Sequence, residues 1–144
     1  MQTFLPYKSF NKSIQCLDYK RLGKQRVEAM QLIKSIDEPN YRWRNHPCSK
    51  MWKDYRSALC HYMNLCINEW ISRGYNNTMK LIDVYNEPII YPSWLGDDRL
   101  HNSHKSNLLS KDNFFYSKYG WKVEDNLPYY WCGFGSTDLE YYGE

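Results

Sequence analysis

The chain has 144 residues, a formal net charge of +3 and five cysteines. This length suffices for one domain with a buried core, and the mildly basic balance permits a nucleic-acid partner without requiring one. No run of about 18 apolar residues occurs, so no membrane-spanning helix and no membrane partner are expected. The cysteines form no Cys-x-x-Cys pair, which argues against a zinc module or a disulfide framework. We therefore expect a reducing intracellular location, cytoplasmic or nuclear, and neither a metal site nor another cofactor.

The first seven residues, MQTFLPY, form an apolar segment in which Pro6 disfavours a helix. Such a hydrophobic beginning is expected to pack against the core, which would bring the α-amine of Met1 close to buried surface. Two helices are predicted to follow, over residues 12–20 and 22–36, with a bend at Gly23 where the pattern is interrupted.

Residues 17–29, LDYKRLGKQRVEA, combine four cations and one acid with interleaved apolar positions. Side chains at i, i+3, i+4 and i+7 share one face of a helix, and here they are Arg21, Lys24, Gln25 and Glu28. A single carboxylate among cations suits a phosphate-rich ligand whose chemistry needs one acid or base. A solvated helix face with Arg–Glu pairs has the same pattern, so both interpretations stay open at this point.

The segment YRWRNHPCSK, residues 41–50, carries further basic groups. Arg42, Arg44 and His46 could converge there on a phosphate. The next helix, predicted over residues 49–73, has the clearest 3.6-residue periodicity and is interpreted as the central core helix. A shorter helix is predicted over residues 79–85.

Residues 99–112, RLHNSHKSNLLSKD, are predicted to form another helix after Asp97 and Asp98. His101 and His104 would share a face, but no acid completes a metal-ligand set. This stretch is therefore either a phosphate-binding surface, with His104 and Lys105 as contacts, or an ordinary surface helix.

The remaining chain is predicted to contain a short aromatic helix over residues 113–119, an aromatic segment over 126–132 and a loose acidic tail over 133–144. No stretch predicts a strand convincingly. The expected fold is mainly α, a compact single domain spanning residues 1–144.

Four stretches of the sequence resemble the pyrimidine dimer DNA glycosylases, a family related to the phage endonuclease V fold. They are MQTFLPY, LDYKRLGKQRVEA, WRNHP followed by MW, and INEWISRGY. The resemblance covers residues 1–75, and the segments SHKSNLLSKD and LPYYW point to a less characterised branch. It implies a compact, mostly helical domain with the N-terminus in the active site.

The resemblance also implies a chemistry. In the family, the N-terminal α-amine attacks the sugar C1′ of a damaged nucleotide, a Schiff base forms, the base leaves and β-elimination nicks the strand. One glutamate handles protons, and neighbouring arginines bind phosphates. The expected activity is that of a DNA glycosylase with AP-lyase activity, acting as a monomer on pyrimidine-dimer or abasic sites in double-stranded DNA.

Carried onto this chain, the family's Leu-Gly-Gln-His-Arg-Glu run resembles residues 22–28 with one residue inserted. Arg26 then takes the place of the phosphate-binding arginine, and Glu28 that of the catalytic acid. Without the insertion, the glutamate position falls on Val27, about 100° away on a helix.

The beginning of the chain departs from the family as well. Well-studied members expose a threonine amine once Met is removed, whereas here Gln2 follows Met1. Removal of Met before Gln is not expected, so the amine of Met1 would be the nucleophile, with Lys24 as a substitute amine.

Two other functional classes fit these departures. One is a non-catalytic nucleic-acid-binding module that has kept the fold. The other is a hydrolase that acts on a modified nucleotide rather than on polymeric DNA, which the small net charge of +3 permits.

Overall fold

The computed structural model describes residues 1–132, and these form helices joined by irregular segments, without a strand among them. The helices are α1 (Phe10–Gln15), α2 (Tyr19–Asp37), α3 (Pro47–Trp52), α4 (Arg56–Ser72), α5 (Asp98–Lys111) and α6 (Asn113–Tyr116), with a 3-10 turn at Ser117–Tyr119. The predicted mainly helical class is confirmed. In this part of the chain, no helix has the length and apolarity needed to cross a membrane. The predicted acidic tail, residues 133–144, lies outside the described residues.

The core lies between α2 and α4. Leu22 and Leu32 of α2 and Leu59 and Met63 of α4 are almost completely buried. Burying each of these side chains stabilises the fold by about 1.5–3 kcal/mol. This burial explains the clear helical periodicity of the segment that forms α4.

The break between the first two helices lies at residues 16–18, so the predicted bend at Gly23 is wrong. Asp18 is tied to the buried Tyr116, whose hydroxyl donates to its carboxylate and accepts from its backbone N–H. This anchor lies at the N-cap of α2. Gly23 instead lies within α2, where a Cβ would come within 3.0 Å of the Trp70 ring. Its role is the close approach of α2 and α4.

Two other helix predictions are corrected. The helix predicted over residues 49–73 is interrupted after Trp52, where the Tyr55 N–H donates to the Trp52 carbonyl at 2.8 Å in a turn that precedes α4. The helix predicted over residues 79–85 is absent. There the Asn64 side chain accepts from the Ile82 N–H at 2.9 Å and donates to the Ile82 carbonyl at 2.7 Å. These bonds hold the segment in irregular form against α4.

The N-terminal segment, residues 1–7, packs against the core as predicted, because α5 satisfies its backbone. The Leu5 N–H donates to His104 Nδ1 at 2.8 Å, and His101 Nδ1 donates to the Leu5 carbonyl at 2.7 Å. Phe4 and Leu5 are buried between these histidines and α4. An extended segment thus lies inside the protein without unpaired backbone groups at Leu5.

All five cysteines are buried free thiols, as expected from their spacing. Burial raises the pKa of Cys16 and of Cys48 to about 12, so neither is a reactive thiolate at neutral pH.

We expect the substitution Gly23→Ala to lower the free energy of unfolding. Alanine would gain up to about 1 kcal/mol of helix propensity, but overpacking typically costs about 1–3 kcal/mol. Trp70 is poorly able to retreat, since its indole N–H donates to the Asn76 carbonyl at 2.7 Å and its ring packs on Tyr75. Urea unfolding measures the change.

The control is the same substitution in a Trp70→Leu background, where the ring is gone. There Gly23→Ala should stabilise the protein relative to Trp70→Leu alone. The same sign in both backgrounds would contradict the close-approach role of Gly23.

Candidate active site

A cleft of about 280 Å³ opens beside the N-terminus, between the first residues and α2. Its walls come from the N-terminal segment, one face of α2, the end of α5 and the segment after α6. The lining residues are Met1, Gln2, Phe4, Lys20, Arg21, Lys24, Gln25, Glu28, Lys111 and Tyr129.

The α-amine of Met1 faces the carboxylate of Glu28 in this cleft. Its nitrogen lies 3.8 Å from Glu28 Oε1, and the side chains of the two residues are only 4% and 20% exposed. Burial raises the pKa of Glu28, although the positive charges of the amine, Lys24 and Lys111 oppose the rise. The chain therefore brings a primary amine and a partly desolvated carboxylate together, an arrangement suited to nucleophilic attack with proton transfer.

Gln25 holds this pair in position. Its Oε1 accepts from the Phe4 N–H at 2.9 Å and from the Tyr62 hydroxyl at 2.6 Å. Its Nε2 donates to the Gln2 carbonyl at 2.9 Å and to Glu28 Oε2 at 3.1 Å. The side chain is 1% exposed, so these bonds are shielded from water. One amide thus links the backbone next to Met1 with the carboxylate that faces it.

Gln2 adds a second restraint on the N-terminus. Its side-chain Oε1 accepts from the Thr3 N–H at 2.9 Å, and its carbonyl accepts from Gln25. Its Nε2 is buried without a hydrogen-bond partner in residues 1–132. Both polar groups of the peptide bond between Gln2 and Thr3 are therefore held, which limits how far the neighbouring amine can move.

Four cationic side chains line the cleft: Lys20, Arg21 and Lys24 from α2, and Lys111 from α5. Arg21 is partly neutralised by Asp18, at 3.2 Å. The cleft is consequently suited to an anionic ligand, and its charge density exceeds what the net charge of +3 suggests.

Arg26, carried over as a phosphate-binding arginine, lies outside the cleft. Its guanidinium packs 4.3 Å from the centroid of the Trp70 ring and donates to Asn77 Oδ1 at 2.6 Å. Two positions along a helix rotate a side chain by about 200°, so Arg26 and Glu28 cannot share a face. Glu28 faces the amine, whereas the neighbouring Val27 is 39% exposed.

Gln25 was also predicted to bind phosphate. In this structure its carbonyl and amide are engaged by the four bonds described above. It is a positioning residue.

The three residues predicted to converge on a phosphate, Arg42, Arg44 and His46, do not line this cleft. Arg42 lies over the Trp43 ring, and Arg44 points to the Ser35 carbonyl at 3.4 Å. His46 caps α3, with its Nδ1 accepting from the Cys48 N–H. Burial, together with the nearby charge of the Met1 amine, lowers the pKa of His46 to about 4, so this ring is neutral at pH 7.

His104 was predicted to contact phosphate, and the structure contradicts this. Its ring is 1% exposed and accepts the Leu5 N–H, and burial lowers its pKa to about 3. A neutral buried ring cannot act as a phosphate-binding cation. Lys105 lies on the same helix with its ammonium 5.4 Å from the Tyr7 ring, away from the cleft.

The polar face of α5 misled the prediction because it points inward. Ser103, His104 and Ser106 are all buried, and they bond to backbone groups of other segments. Sequence periodicity cannot separate a polar face that faces water from one that faces unpaired backbone. In residues 1–132, no group of three His, Cys, Asp or Glu side chains could hold a metal ion.

A family model described as pyrimidine dimer DNA glycosylase matches residues 1–83, more than half of the chain. The chain belongs to the pyrimidine dimer DNA glycosylase family. The family is one of DNA repair enzymes, which implies that the chain binds a DNA substrate. No curated protein and no solved structure matches the chain.

The family match contains most of the cleft, but two lining residues fall outside it. Lys111 and Tyr129 belong to residues 84–132, and neither was predicted as a site residue. The available signal was weak: Lys111 ends the basic stretch SHKSNLLSK, and Tyr129 lies in LPYYW. Only the fold brings these two segments to the N-terminus.

The positioning role of Gln25 predicts a large loss of stability in Gln25→Leu. This substitution leaves the Phe4 N–H and the Gln2 carbonyl buried without partners, and each such group costs about 1–3 kcal/mol. Urea unfolding measures the loss. Gln31→Leu, at a partly exposed position of the same helix, is the control and should cost much less. Equal stability of the two variants would contradict the role of Gln25.

The neutral His104 predicts acid sensitivity of the fold. An unfolded histidine titrates near 6.5, whereas His104 is held neutral down to about 3. Its contribution to stability is therefore complete above pH 6.5 and is lost as the pH falls from 6.5 towards 3, by up to about 1.4 kcal/mol per pH unit.

His104→Asn keeps an acceptor for the Leu5 N–H but cannot titrate in this range. We expect a smaller dependence of the unfolding free energy on pH between 6.5 and 4, whatever its value at pH 8. His61→Asn, at a less buried ring, should change this slope less. An unaltered slope in His104→Asn would refute the assignment.

Proposed function

We propose that the chain is a DNA glycosylase with AP-lyase activity, whose nucleophile is the α-amine of Met1 and whose acid–base group is Glu28. The observation that carries this proposal is the 3.8 Å separation between the Met1 nitrogen and Glu28 Oε1 inside a cleft lined by cations. Family membership supports the glycosylase part. The lyase part rests on the chemistry of a primary amine, which can form an imine with a sugar aldehyde.

In the proposed reaction the amine nitrogen forms a bond to C1′ of the damaged nucleotide while the glycosidic bond breaks and the base leaves with its electron pair. The base takes up a proton, and opening of the sugar ring yields a protonated Schiff base. Loss of a proton from C2′ then expels the 3′ phosphate, and water releases the enzyme from C1′. Glu28 is suited to accept and return these protons and, as a carboxylate, to stabilise the cationic imine.

The raised pKa of Glu28 supports this role. Burial raises the pKa of this carboxyl above that of an exposed glutamate, which favours its taking up a proton in the reaction. Lys24 is the substitute amine if Met1 does not react, because it lines the same cleft.

The proposed substrate is double-stranded DNA with a pyrimidine dimer or an abasic site, bound by a monomer. Arg21, Lys20 and Lys24 are the proposed phosphate contacts in the cleft. Arg42 and Arg44, both exposed, remain candidates for phosphate contacts farther along the duplex. A nucleotide would have to leave the base stack for its C1′ to reach the amine.

Borohydride trapping on a duplex with a single abasic site tests the proposal. The reagent reduces a Schiff base to a stable amine, so we expect a covalent adduct that mass spectrometry maps to the Met1 peptide. Glu28→Gln should reduce strand cleavage by about 100-fold or more, the scale of a lost acid–base group, while DNA binding is kept.

Three results would revise the proposal. An adduct on Lys24 would keep the lyase chemistry and move the nucleophile. Tight binding without any adduct would favour a nucleic-acid-binding module. If the protein neither binds the duplex nor forms an adduct, hydrolysis of a free modified nucleotide becomes the favoured function.

A further inference from the structure

A second cavity lies apart from the cleft and shares no lining residue with it. Its volume is about 660 Å³, within the range of about 300–1,000 Å³ that is usual for small-molecule sites. Its walls come from residues 8–11, from His61 of α4 and from Tyr91, Pro92 and Leu95. The last three belong to the part of the chain beyond residue 83, which the family model does not match.

Three rings form an aromatic corner in this cavity. The centroid of the Phe10 ring lies 5.2 Å from that of Tyr91 and 6.1 Å from that of His61, and the Tyr91 and His61 rings are 6.3 Å apart. Phe10 is buried, whereas Tyr91 is 48% exposed. An exposed aromatic ring that other rings support is a surface on which a planar heteroaromatic ring can stack.

The ring of His61 is held in one orientation. Its Nδ1 forms a hydrogen bond with the Tyr85 hydroxyl at 2.8 Å, and the two rings pack edge to face at 5.5 Å. Burial lowers the pKa of His61, so this ring is mostly neutral at pH 7. The aromatic corner is therefore preorganised and uncharged, which suits the stacking of a neutral base.

A cation is held at the rim of the cavity. The stem of Lys8 lies against Gly96, where an added Cβ would be 3.5 Å from Lys8 Cδ and 3.8 Å from Lys8 Nζ. Gly96 has a φ of +104°, a left-handed conformation that favours glycine, so no side chain intervenes there. Within residues 1–132, Lys8 is the one lysine or arginine that lines the cavity. A single ammonium suits a ligand that carries one phosphate.

Asn11 adds hydrogen-bonding groups to the same cavity. Its side chain is exposed, and an amide offers both donors and an acceptor. An asparagine amide can pair with the N6 amino group and N7 of adenine. Ser9 Oγ accepts from the Lys12 N–H at 3.1 Å and caps α1, which fixes the backbone that carries Asn11. The aromatic corner, the amide and the ammonium thus match the three chemical parts of an adenine nucleotide.

Buried rings separate the cavity from the cleft. Phe10 packs edge-on against Tyr62 with 5.6 Å between the centroids, and the Tyr62 hydroxyl donates to Gln25 in the wall of the cleft. Tyr62 is completely buried. A ligand in the cavity would therefore occupy a site of its own.

We propose that this cavity is a second binding site, which takes a free adenine mononucleotide. The base stacks on Tyr91 in the aromatic corner, the Asn11 amide binds the edge of the base, and Lys8 binds the phosphate. A nucleotide inside a DNA strand has a phosphate on both sides and matches the single ammonium less well. The site goes beyond the proposed glycosylase function, because it needs neither Met1 nor Glu28.

NMR titrations of the whole protein test this site. The ligands are AMP, adenosine, which lacks the phosphate, and a single-stranded octamer of deoxyadenosine. The ring resonances of His61 report on occupancy of the cavity and give the affinity in each variant. The variants are Tyr91→Leu, Tyr91→Phe and Lys8→Gln. The controls are Lys24→Gln, which removes a cation of the cleft, and Ile90→Ala, an exposed apolar position that does not line the cavity.

AMP should shift the His61 resonances of the unaltered protein. Tyr91→Leu should weaken AMP binding by about 5-fold or more, the effect of a lost base stack, whereas Tyr91→Phe should keep most of the affinity because its ring still stacks. Lys8→Gln should weaken AMP binding by up to about 5-fold and leave adenosine binding unchanged, since adenosine has no phosphate. Lys24→Gln and Ile90→Ala should alter neither affinity at this reporter.

Absence of any His61 shift at millimolar AMP would overturn the site. An equal loss of AMP and adenosine binding in Lys8→Gln would overturn the phosphate contact, and tighter binding of the octamer than of AMP would overturn the choice of a free mononucleotide. Lys8 is exposed, so Lys8→Gln tests the site even if Tyr91→Leu does not fold. AMP binding involves no Schiff base, so failure of borohydride trapping leaves this site intact, and trapping without AMP binding removes the site alone.

Discussion

The hydrogen bonds of the Gln25 side chain are the constraint on which the cleft depends. A single buried amide binds the backbone of residues 2 and 4 and also the carboxylate of Glu28. The Tyr62 hydroxyl, from α4, completes its coordination. Because an amide has a fixed separation between donor and acceptor, the N-terminal segment can dock on α2 in only one register. The amine of Met1 reaches Glu28 as a result.

A second set of buried polar groups, on α5, also holds the N-terminal segment in place. Irregular segments bring backbone N–H and carbonyl groups into the interior, and each requires a partner there. α5 supplies them, with His104 for the N-terminal segment and Ser103 and Ser106 for residues 127–130. The same helix thus joins the beginning of the chain to its later part. Polar side chains inside this protein replace the strand pairing that would otherwise satisfy extended backbone.

The sequence predicted the helical class, the family and the shared face of Arg21, Lys24, Gln25 and Glu28, because these depend on local spacing. The predictions from sequence failed where contacts between residues far apart in the chain determine the local structure. The close approach of the Trp70 ring accounts for the glycine at position 23. The Asn64 side chain makes the hydrogen bonds to Ile82 that a helix was expected to make. The orientation of α5 and the arrival of Tyr129 at the cleft depend on partners far away in the chain, which composition and periodicity do not encode.

The ion pair between Met1 and Glu28 has a consequence for evolution. If the reacting nitrogen belongs to the backbone, every amino acid at the first position except proline offers a primary amine, and no codon change in the body of the gene deletes it. The function would then be lost mainly through leader extension, altered start-site choice or blocking of the terminus after translation. Comparisons of substitution patterns would therefore leave the nucleophile unseen and would detect only its neighbours, Gln25 and Glu28 foremost among them.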